Sequence, residues 1–193
     1  MRRALLLAFV GAVLVVAFSG VALAALINCN GGPCFGTSEA DVIIGSAQAD
    51  QISARAGDDT VSAGDGDDEL HGDRGDDDLF GQAGNDDYFG DNGNDTLTDD
   101  AITFSNDEMF GGKNDDNLNA GGGNDTLISG QVGNDNVAGG EGNDAHRGGD
   151  GNDVIDAQDG DPDNLVSGGS GTDTCFFDPG LDQNIRECEI QNP

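Results

Sequence analysis

Residues 54–89 decide how this sequence folds, and in lines of nine they read ARAGDDTVS, AGDGDDELH, GDRGDDDLF and GQAGNDDYF. Every line carries Gly at its fourth position, Asp at its sixth and an apolar or aromatic residue at its eighth. A unit this short cannot fold alone, because its single inward side chain buries almost nothing until the next unit stacks on it. The period therefore predicts a solenoid of stacked repeats.

The two columns continue along most of the chain, with about three extra residues near Asp99. The sixth position comprises Asp41, Asp50, Asp59, Asp68, Asp77, Asp86, Asp95, Asp107, Asp116, Asp125, Asp135, Asp144, Asp153, Asp163 and Asp173. The eighth position, which we expect to point inward, comprises Ile43, Ile52, Val61, Leu70, Leu79, Tyr88, Leu97, Met109, Leu118, Leu127, Val137, His146, Ile155, Leu165 and Cys175. The pattern predicts repeats over residues 36–176, an N-terminal cap at 25–35 and a C-terminal cap at 177–193.

Each repeat predicts one short strand and one turn. Positions seven to nine read polar, apolar, variable, which is typical of a strand with its middle residue inward. Positions one to six are dense in Gly and Asp and predict a turn. Two repeats would form one coil, giving about seven coils stacked roughly 4.8 Å apart. We expect an all-β solenoid of two parallel sheets, with no helix beyond residues 1–24.

The composition limits the partners of this chain. It has 38 acidic residues against seven Lys and Arg, a formal charge of −31, 33 Gly and no Trp. A compact state must therefore bind cations or bear strong self-repulsion. Nucleic acid is excluded as a partner because its phosphates would repel such a polyanion. High charge with abundant Gly is also typical of disorder. The regular eighth position argues against permanent disorder, though not against disorder that depends on conditions.

The N-terminal segment predicts export. Two arginines precede an apolar run from Ala4 to Ile27, and Ala22-Leu23-Ala24 supplies the small residues of a cleavage site. These features are typical of a secretory signal peptide over residues 1–24. The run is also long enough for an uncleaved membrane anchor, so a membrane association is expected only if the segment is not cut. In both cases the remaining chain is secreted or held at the cell surface.

Export favours disulfide bonds between the four cysteines. Cys29 and Cys34 lie on either side of a turn-forming Asn-Gly-Gly-Pro, and Cys175 and Cys188 lie near the other end of the chain. Local pairing of Cys29 with Cys34 and of Cys175 with Cys188 would close both ends of the array. Four cysteines allow two other pairings, and these remain open. A zinc site is the less favoured interpretation, because neither pair has a His at ligand spacing.

The Gly and Asp columns together predict calcium sites. Gly at the fourth position permits positive φ, and the turn then directs carbonyl oxygens and the sixth-position carboxylate toward the next coil. A hard cation that accepts six to eight oxygens fits between two such turns. Because turns alternate sides, ligands should lie two repeats apart: Asp59 with Asp77 and Asp95, and Asp68 with Asp86. The predicted metal ligands are Asp50, Asp59, Asp68, Asp77, Asp86, Asp95, Asp107, Asp116, Asp125, Asp135, Asp144 and Asp153.

Three stretches carry a resemblance to a known family: GGGNDTL at 121–127, GGEGND at 139–144 and GGDGNDVI at 148–155. They resemble the haemolysin-type, or RTX, calcium-binding nonapeptide Gly-Gly-x-Gly-x-Asp-x-apolar-x. The resemblance implies a right-handed parallel β-roll with Ca²⁺ in both rows of turns. Typical members lack cysteine and leave by type I secretion, so this chain is more similar to Sec-exported, disulfide-capped relatives. Imperfect copies predict weak or absent sites, notably where Pro162 and an extra residue precede Asp163.

No motif predicts catalysis. His71 falls at a ninth position and His146 at an inward eighth, and neither belongs to a His-Glu-x-x-His zinc helix. We interpret His146 as a tolerated core substitution. The sequence thus predicts a non-enzymatic, secreted protein whose roll folds on binding several Ca²⁺ ions. The alternative is an adhesion or matrix protein that binds a protein or carbohydrate at the cell surface. Its candidate surface is an outward row of Phe89, Phe110 and Ile128, unless the extra residues near Asp99 cover that row.

Overall fold

The described part of the chain is a roll of parallel strands. The computed structural model describes residues 25–99 and 104–192. The predicted signal peptide, residues 1–24, lies outside these residues, and its cleavage stays a prediction. Within the described ranges there is no helix with the length and apolar character needed to cross a membrane.

The described residues form 21 short strands, numbered here in chain order, and every pairing between them is parallel. The first sheet contains, in spatial order, β1 (Leu26–Asn28), β3 (Val42–Ile44), β5 (Thr60–Asp65), β7 (Asp78–Ala83), β9 (Thr96–Thr98), β12 (Asn117–Asn119), β15 (Asn136–Ala138), β17 (Val154–Ala157), β19 (Thr174–Phe177) and β21 (Ile190–Asn192). The second contains β2 (Gly32–Phe35), β4 (Asp50–Ser53), β6 (Glu69–His71), β8 (Asp87–Asn92), β11 (Glu108–Lys113), β14 (Leu127–Val132), β16 (Ala145–Asp150), β18 (Leu165–Ser170) and β20 (Ile185–Arg186). A separate pair joins β10 (Phe104–Ser105) to β13 (Gly122–Gly123). The chain alternates between the two large sheets, which confirms the predicted all-β parallel roll.

The roll is longer than the predicted seven coils, because the sheets have ten and nine strands. The terminal segments account for the difference. Strands β1 and β2 lie within residues 25–35, and β20 and β21 lie beyond residue 177. These segments lack the Gly and Asp pattern, yet they pair in register with the repeats. The predicted caps are therefore built as further coils.

The core is one side chain wide. Val61 in β5 pairs with Leu79 in β7, which pairs with Leu97 in β9, and all three are fully buried. Most other eighth positions are buried in the same way, including Tyr88 and His146. Because each coil adds only one such residue per strand, a coil gains its buried area from its two neighbours.

The inward residue differs from the prediction in two repeats. Ile128 and Val166 are fully buried, whereas Leu127 and Leu165 are only partly buried. Ile128 pairs with Met109 and Val166 with His146. The prediction of Leu127 and Leu165 was wrong because each is followed by a second apolar residue. The register of the neighbouring strand decides which of the two turns inward.

The extra residues before Asp107 are absorbed at one turn. Tyr88 pairs with Met109, a separation of 21 residues where Leu70 and Tyr88 are separated by 18. The Tyr88 hydroxyl donates a hydrogen bond to Asp99 Oδ1 at 2.8 Å, and the Ser105 hydroxyl donates to Asp99 Oδ2 at 3.1 Å. Asp99 and Ser105, the described residues near the insertion, are thus tied to the core by buried hydrogen bonds.

An aromatic row lies on the outer face of the second sheet, although its membership differs from the prediction. The rings of His71 and Phe89 stack with centroids 4.5 Å apart, and those of Phe89 and Phe110 stack at 5.4 Å. Ser129, not Ile128, follows Phe110 in the register. Ile128 was wrongly assigned to this row because it is the inward residue of its strand. Phe89 and Phe110 are partly buried.

Both predicted disulfides are present. Cys29 bonds to Cys34, with Cα atoms 5.7 Å apart, and Cys175 bonds to Cys188, with Cα atoms 5.9 Å apart. Cys175 is fully buried at an inward position of β19, and Cys188 packs against the core. The first bridge therefore closes the first coil and the second attaches the last coil to the core.

The fourth-position glycines allow the coils to stack closely. At Gly75 φ is +127°, and a Cβ atom there would lie 1.6 Å from the carbonyl oxygen of Gly57 in the coil before. Gly84 has the same relation to Gly66, at 1.8 Å. Both the backbone conformation and the contact exclude any side chain. Glycine at this position therefore sets the spacing of the turns.

Replacing Gly75 by Ala should lower the free energy of unfolding by at least about 3 kcal/mol, because the new methyl group would overlap backbone. Gly180→Ala is the matched control, since Gly180 has φ of +88° but nothing within 4 Å of its Cβ position. Its cost should be about 1–2 kcal/mol, from the left-handed backbone alone. Denaturant unfolding in saturating calcium would measure both. Equal losses would contradict the stacking argument.

Candidate metal centres

The sixth-position aspartates form two buried columns, one along each edge of the roll. Each of these residues lies at the end of its turn, at the first residue of a strand or one or two residues before it. All are at most 3% exposed. One column contains Asp41, Asp59, Asp77, Asp95, Asp116, Asp135, Asp153 and Asp173. The other contains Asp50, Asp68, Asp86, Asp107, Asp125, Asp144 and Asp163.

Neighbours within a column are joined by the same hydrogen bond. The backbone N–H of each aspartate donates to the Oδ1 atom of the aspartate one coil further on. Thirteen such bonds measure 2.6–2.9 Å. The structure therefore brings together Asp59, Asp77 and Asp95, as well as Asp68 and Asp86, the sets that the sequence placed two repeats apart.

In nearly every column aspartate the second carboxylate oxygen, Oδ2, has no hydrogen-bond partner. It is buried and makes no hydrogen bond to the described residues in Asp59, Asp68, Asp77, Asp86, Asp95, Asp116, Asp125, Asp135, Asp144, Asp153, Asp163 and Asp173. A buried charged oxygen without a partner is costly. Such atoms are rare in folded proteins, and a repeated series of them indicates a ligand-binding position at each.

The first-position glycines leave room beside these oxygens. A Cβ atom on Gly72 would lie 2.6 Å from Asp77 Oδ2, and one on Gly90 would lie 2.6 Å from Asp95 Oδ2. Gly111 has the same relation to Asp116, at 2.5 Å. A side chain would fill this space, so glycine keeps it clear. Ala54 and Ala63 hold the first position in the repeats of Asp59 and Asp68, where less space remains.

Burial also disfavours the charged form of these groups. It raises the pKa of Asp86, Asp116 and Asp125 to about 8, and that of Asp77 and Asp95 to about 7. The backbone hydrogen bonds lower these pKa values in part, and nearby carboxylates raise them further. The pKa is raised to about 6, again by burial, in Asp59, Asp68, Asp135, Asp144 and Asp153. A cation beside Oδ2 would reverse this effect, since an opposite charge favours the ionised form.

Two of the predicted ligands differ from the rest. Asp107 Oδ2 accepts a hydrogen bond from the Ser105 hydroxyl at 2.8 Å. Asp50 Oδ2 accepts from the backbone N–H of Ser46 at 2.8 Å and from its hydroxyl at 2.9 Å. In both residues protein groups satisfy the oxygen that is free elsewhere. Asp50, however, keeps its Oδ1 atom buried without a partner. Both oxygens of Asp107 are hydrogen-bonded, because its Oδ1 atom accepts the backbone N–H of Asp86 at 2.7 Å.

The columns also extend beyond the predicted ligands. Asp163 and Asp173 each keep an unpartnered Oδ2, although the sequence predicted weak or absent sites after Pro162. Their backbone N–H groups donate to Asp182 Oδ1 at 3.1 Å and to Glu189 Oε2 at 2.8 Å, which lie in the C-terminal cap. The uninterrupted sixth-position period was the signal for Asp163 and Asp173. No motif marked Asp182 or Glu189.

The arrangement defines a class of protein: a parallel roll with rows of buried oxygen ligands in its Gly-rich turns. Comparison with known protein families agrees with this class. The model of the RTX calcium-binding nonapeptide repeat (4 copies) matches residues 35–70, 62–97, 103–127, 110–145, 147–161 and 163–183. The matches together cover well over half of the chain, which therefore belongs to the RTX calcium-binding repeat family. No curated protein matches it significantly.

The raised pKa values predict how the metal-free roll responds to pH. An aspartate whose pKa is higher in the folded state stabilises that state below its unfolded pKa, near 3.9, and the contribution is lost as pH rises through the folded value. Without metal the roll should therefore be most stable near pH 4 and lose stability between about pH 6 and 8. Circular dichroism of the demetallated chain across this range would measure it. More strand signal at pH 8 than at pH 4 would contradict the interpretation.

Proposed function

We propose that this chain is an exported calcium-binding roll whose folding is coupled to the ion. The observation that supports it most directly is the series of buried Asp Oδ2 atoms without a partner. Metal-free, the chain is extended and disordered at neutral pH, and with Ca²⁺ bound in its turns it is rigid. No catalytic role is proposed.

The energetic argument rests on the number of these groups. An unpaired buried carboxylate costs several kcal/mol even after relaxation, and the columns hold twelve orphaned Oδ2 atoms, from Asp59 to Asp173. A domain has a net stability of only about 5–15 kcal/mol. Ionised carboxylates in these columns would therefore prevent folding unless cations neutralise them. Cations that bind only the folded state stabilise it by mass action.

The donor set favours calcium. The sixth-position carboxylates and the turn carbonyls are hard oxygen ligands, which Ca²⁺ takes in groups of six to eight. We assign the strongest sites to the predicted ligands whose first-position residue is Gly and whose Oδ2 atom is free: Asp77, Asp86, Asp95, Asp116, Asp135, Asp144 and Asp153. Asp59, Asp68 and Asp125, whose first-position residue is Ala, complete the set. Asp107 contributes least, because protein groups satisfy both of its oxygens, and Asp50 differs in that its free oxygen is Oδ1.

Export would determine where the chain meets enough calcium to fold. Calcium modules outside the cell have dissociation constants of about 10⁻⁴ to 10⁻³ M, so the chain would stay unfolded until it meets millimolar calcium. A signal peptide over residues 1–24 and the two disulfides support a secreted or cell-surface location. A membrane association follows only if the segment is retained.

The direct test is a calcium titration of the disulfide-bonded chain that begins at Ala25. Circular dichroism and light scattering should change from an extended, disordered state in chelator to a compact, strand-rich state in millimolar Ca²⁺. Calorimetry on the same sample would count the ions. A compact spectrum that calcium leaves unchanged would contradict the proposal.

A pair of variants tests the assignment of the columns. Asp77→Asn keeps an oxygen that can accept the Asp59 N–H bond but removes the buried charge. It should raise the calcium midpoint of folding by about tenfold, which corresponds to about 1.4 kcal/mol, and should stabilise the metal-free roll. Asp78→Asn is the matched control, because it removes the same charge from the adjacent exposed side chain. If the two variants behave alike, bulk charge and not site occupancy controls folding.

A second candidate function rests on the aromatic row of His71, Phe89 and Phe110. The rings stack face to face along three neighbouring strands and form a flat, partly exposed strip. Such a strip suits a protein or carbohydrate partner at the cell surface. Calcium would then stiffen a binding surface in addition to folding the chain.

The double substitution Phe89→Ser with Phe110→Ser should abolish binding to a panel of immobilised polysaccharides while leaving the calcium-induced spectrum unchanged. Phe104→Ser is the control, since Phe104 is 74% exposed and lies outside the row. Absence of polysaccharide binding by the unmodified chain, or equal binding by both variants, would count against this second function.

A further inference from the structure

The aromatic row on the second sheet ends at Phe110, and a cavity begins directly beyond it. Phe110 stacks on Phe89 through one face, with ring centroids 5.4 Å apart. The next residue in the register is Ser129, which supplies no ring. A cavity of about 490 Å³ lies at this point, and its lining includes Phe110, Ser129 and the following member of the register, Arg147. The side of Phe110 away from Phe89 therefore borders this cavity.

The gap beyond Phe110 is wide enough for one ring of a ligand. Adjacent strands lie about 4.8 Å apart, so the backbones of Phe110 and Arg147, which are two strands apart, are separated by roughly 9.6 Å. The rings of this row stack at 4.5 and 5.4 Å. Ligand pockets have volumes of about 300–1,000 Å³ and combine an aromatic surface with a few polar groups. The cavity beside Phe110 has both properties.

Gln131, which also lines the cavity, has a backbone conformation that its neighbours in the register occupy with glycine. Its φ is +78°, and it pairs with Gly112 on one side and Gly149 on the other. Left-handed backbone is unfavourable for a residue with a Cβ atom, and such strain is typical of functional positions. Gln82 of the first sheet, with φ of +80°, accepts a hydrogen bond from the Ser62 hydroxyl. The Gln131 amide has no such bond to the described residues, so its donors and acceptor are free for a ligand.

Charged groups of both signs surround the cavity. Arg147 is exposed, and every ion pair among the described residues involves a histidine, so no carboxylate there engages its guanidinium. Asp150 and Glu187 add hydrogen-bond acceptors to the lining. The Ser167 hydroxyl donates to Glu187 Oε2 at 2.9 Å, which positions that carboxylate. The lining thus offers donors and acceptors beside one aromatic face.

Charge complementarity favours an uncharged ligand. One guanidinium and two carboxylates line the cavity, so a ligand of either charge would meet a like charge there. An anion would also be repelled by the formal charge of −31. An apolar side chain of a protein partner would cover the polar groups without bonding to them, which is unfavourable. A sugar ring fits both parts, because its C–H face packs on the negative face of an aromatic ring and its hydroxyls lie around the edge.

We propose that the cavity beside Phe110 binds one residue of an uncharged polysaccharide. The sugar ring stacks on Phe110, and its hydroxyls form hydrogen bonds with Gln131, Arg147 and Glu187. This rests on the second candidate function and deepens it, because it places the carbohydrate in a cavity at the end of the aromatic row and not on the outer surface of the row.

The test uses the disulfide-bonded chain folded in saturating calcium, with cellohexaose, maltohexaose and mannohexaose as uncharged probes. Trigalacturonate serves as the acidic comparison. Calorimetry should detect binding of at least one uncharged probe, and trigalacturonate should bind more weakly. The bound sugar should shift the ring resonances of Phe110 in NMR spectra and leave those of Phe104, which is 74% exposed outside the row, in place.

Ser129→Phe distinguishes the cavity from the outer surface of the row. The new ring would fill the cavity and lengthen the row, so it should abolish sugar binding in the cavity but preserve any binding along the outer surface. Ser62→Phe is the matched control, because Ser62 pairs with Phe80 on the outer face of the first sheet. It should leave sugar binding unchanged. Circular dichroism would show that both variants keep the calcium-induced fold.

Gln131→Gly is a second variant, whose folding is not in doubt because glycine suits its backbone. It should weaken sugar binding by about fivefold, a typical loss for one hydrogen bond, without lowering thermal stability. Gln82→Gly is its control, since it removes the same side chain at the same backbone conformation in the first sheet. It should leave the affinity for the sugar unchanged.

Three results would overturn the proposal: no binding of any uncharged probe, tighter binding of trigalacturonate, or full affinity in Ser129→Phe or Gln131→Gly. Full affinity in Ser129→Phe together with lost binding in the Phe89→Ser, Phe110→Ser double variant would leave the second candidate function intact. A chain that is compact in chelator yet binds the sugar beside Phe110 would refute calcium-coupled folding alone.

Discussion

A carboxylate has two oxygens, and in most of the column aspartates only one of them accepts a hydrogen bond within the roll. From Asp59 and Asp68 onward, the Oδ1 atom of each column aspartate accepts the backbone N–H of the aspartate one coil earlier, which connects the coils along both edges. The Oδ2 atom is buried by the same arrangement and left without a donor. The hydrogen bond that joins the coils thus holds a second carboxylate oxygen in a buried position, where burial disfavours its ionised form. The raised pKa values of the column aspartates follow from this burial.

At the turn beside Tyr88, protein groups satisfy both oxygens of the column aspartate, Asp107. There Asp99 and Ser105, from the insertion, satisfy the Tyr88 hydroxyl and Asp107 Oδ2 with buried hydrogen bonds. Thr37 and Ser46 donate in the same way to the Oδ2 atoms of Asp41 and Asp50 in the first turns, whereas the other column aspartates have no such donor. The array therefore contains turns in which protein groups satisfy Oδ2 and turns in which this atom is free. The His146 turn is a third case, in which a polar core residue is buried without the hydrogen bonds that Tyr88 has.

Much of the fold and of the candidate site could be predicted from the sequence, because a strict period places equivalent residues at the same position in every coil. The two parallel sheets, the inward column, the local disulfides and the sets of stacked aspartates all follow from spacing. The predictions are wrong where the nine-residue period does not determine which of two adjacent residues points inward. At Leu127 and Leu165 two adjacent apolar residues could each turn inward, and pairing with Met109 and His146 selects the second. The free state of each Oδ2, and the cavity beside Phe110, depend on contacts between coils that no single repeat encodes.

The hydrogen bonds of the columns all run in one direction, which makes the two ends of the roll chemically different. At the first coil the carboxylate of Asp41 needs a donor, and the backbone N–H of Ala25 supplies it at 2.9 Å. At the last coils the N–H groups of Asp163 and Asp173 need acceptors, which Asp182 and Glu189 supply. The caps therefore supply Asp41, Asp163 and Asp173 with the partners that a further coil would supply, whereas Asp50 Oδ1 receives none. The roll is directional in the same sense as a segment of a polar polymer, with a donor needed at one end and an acceptor at the other.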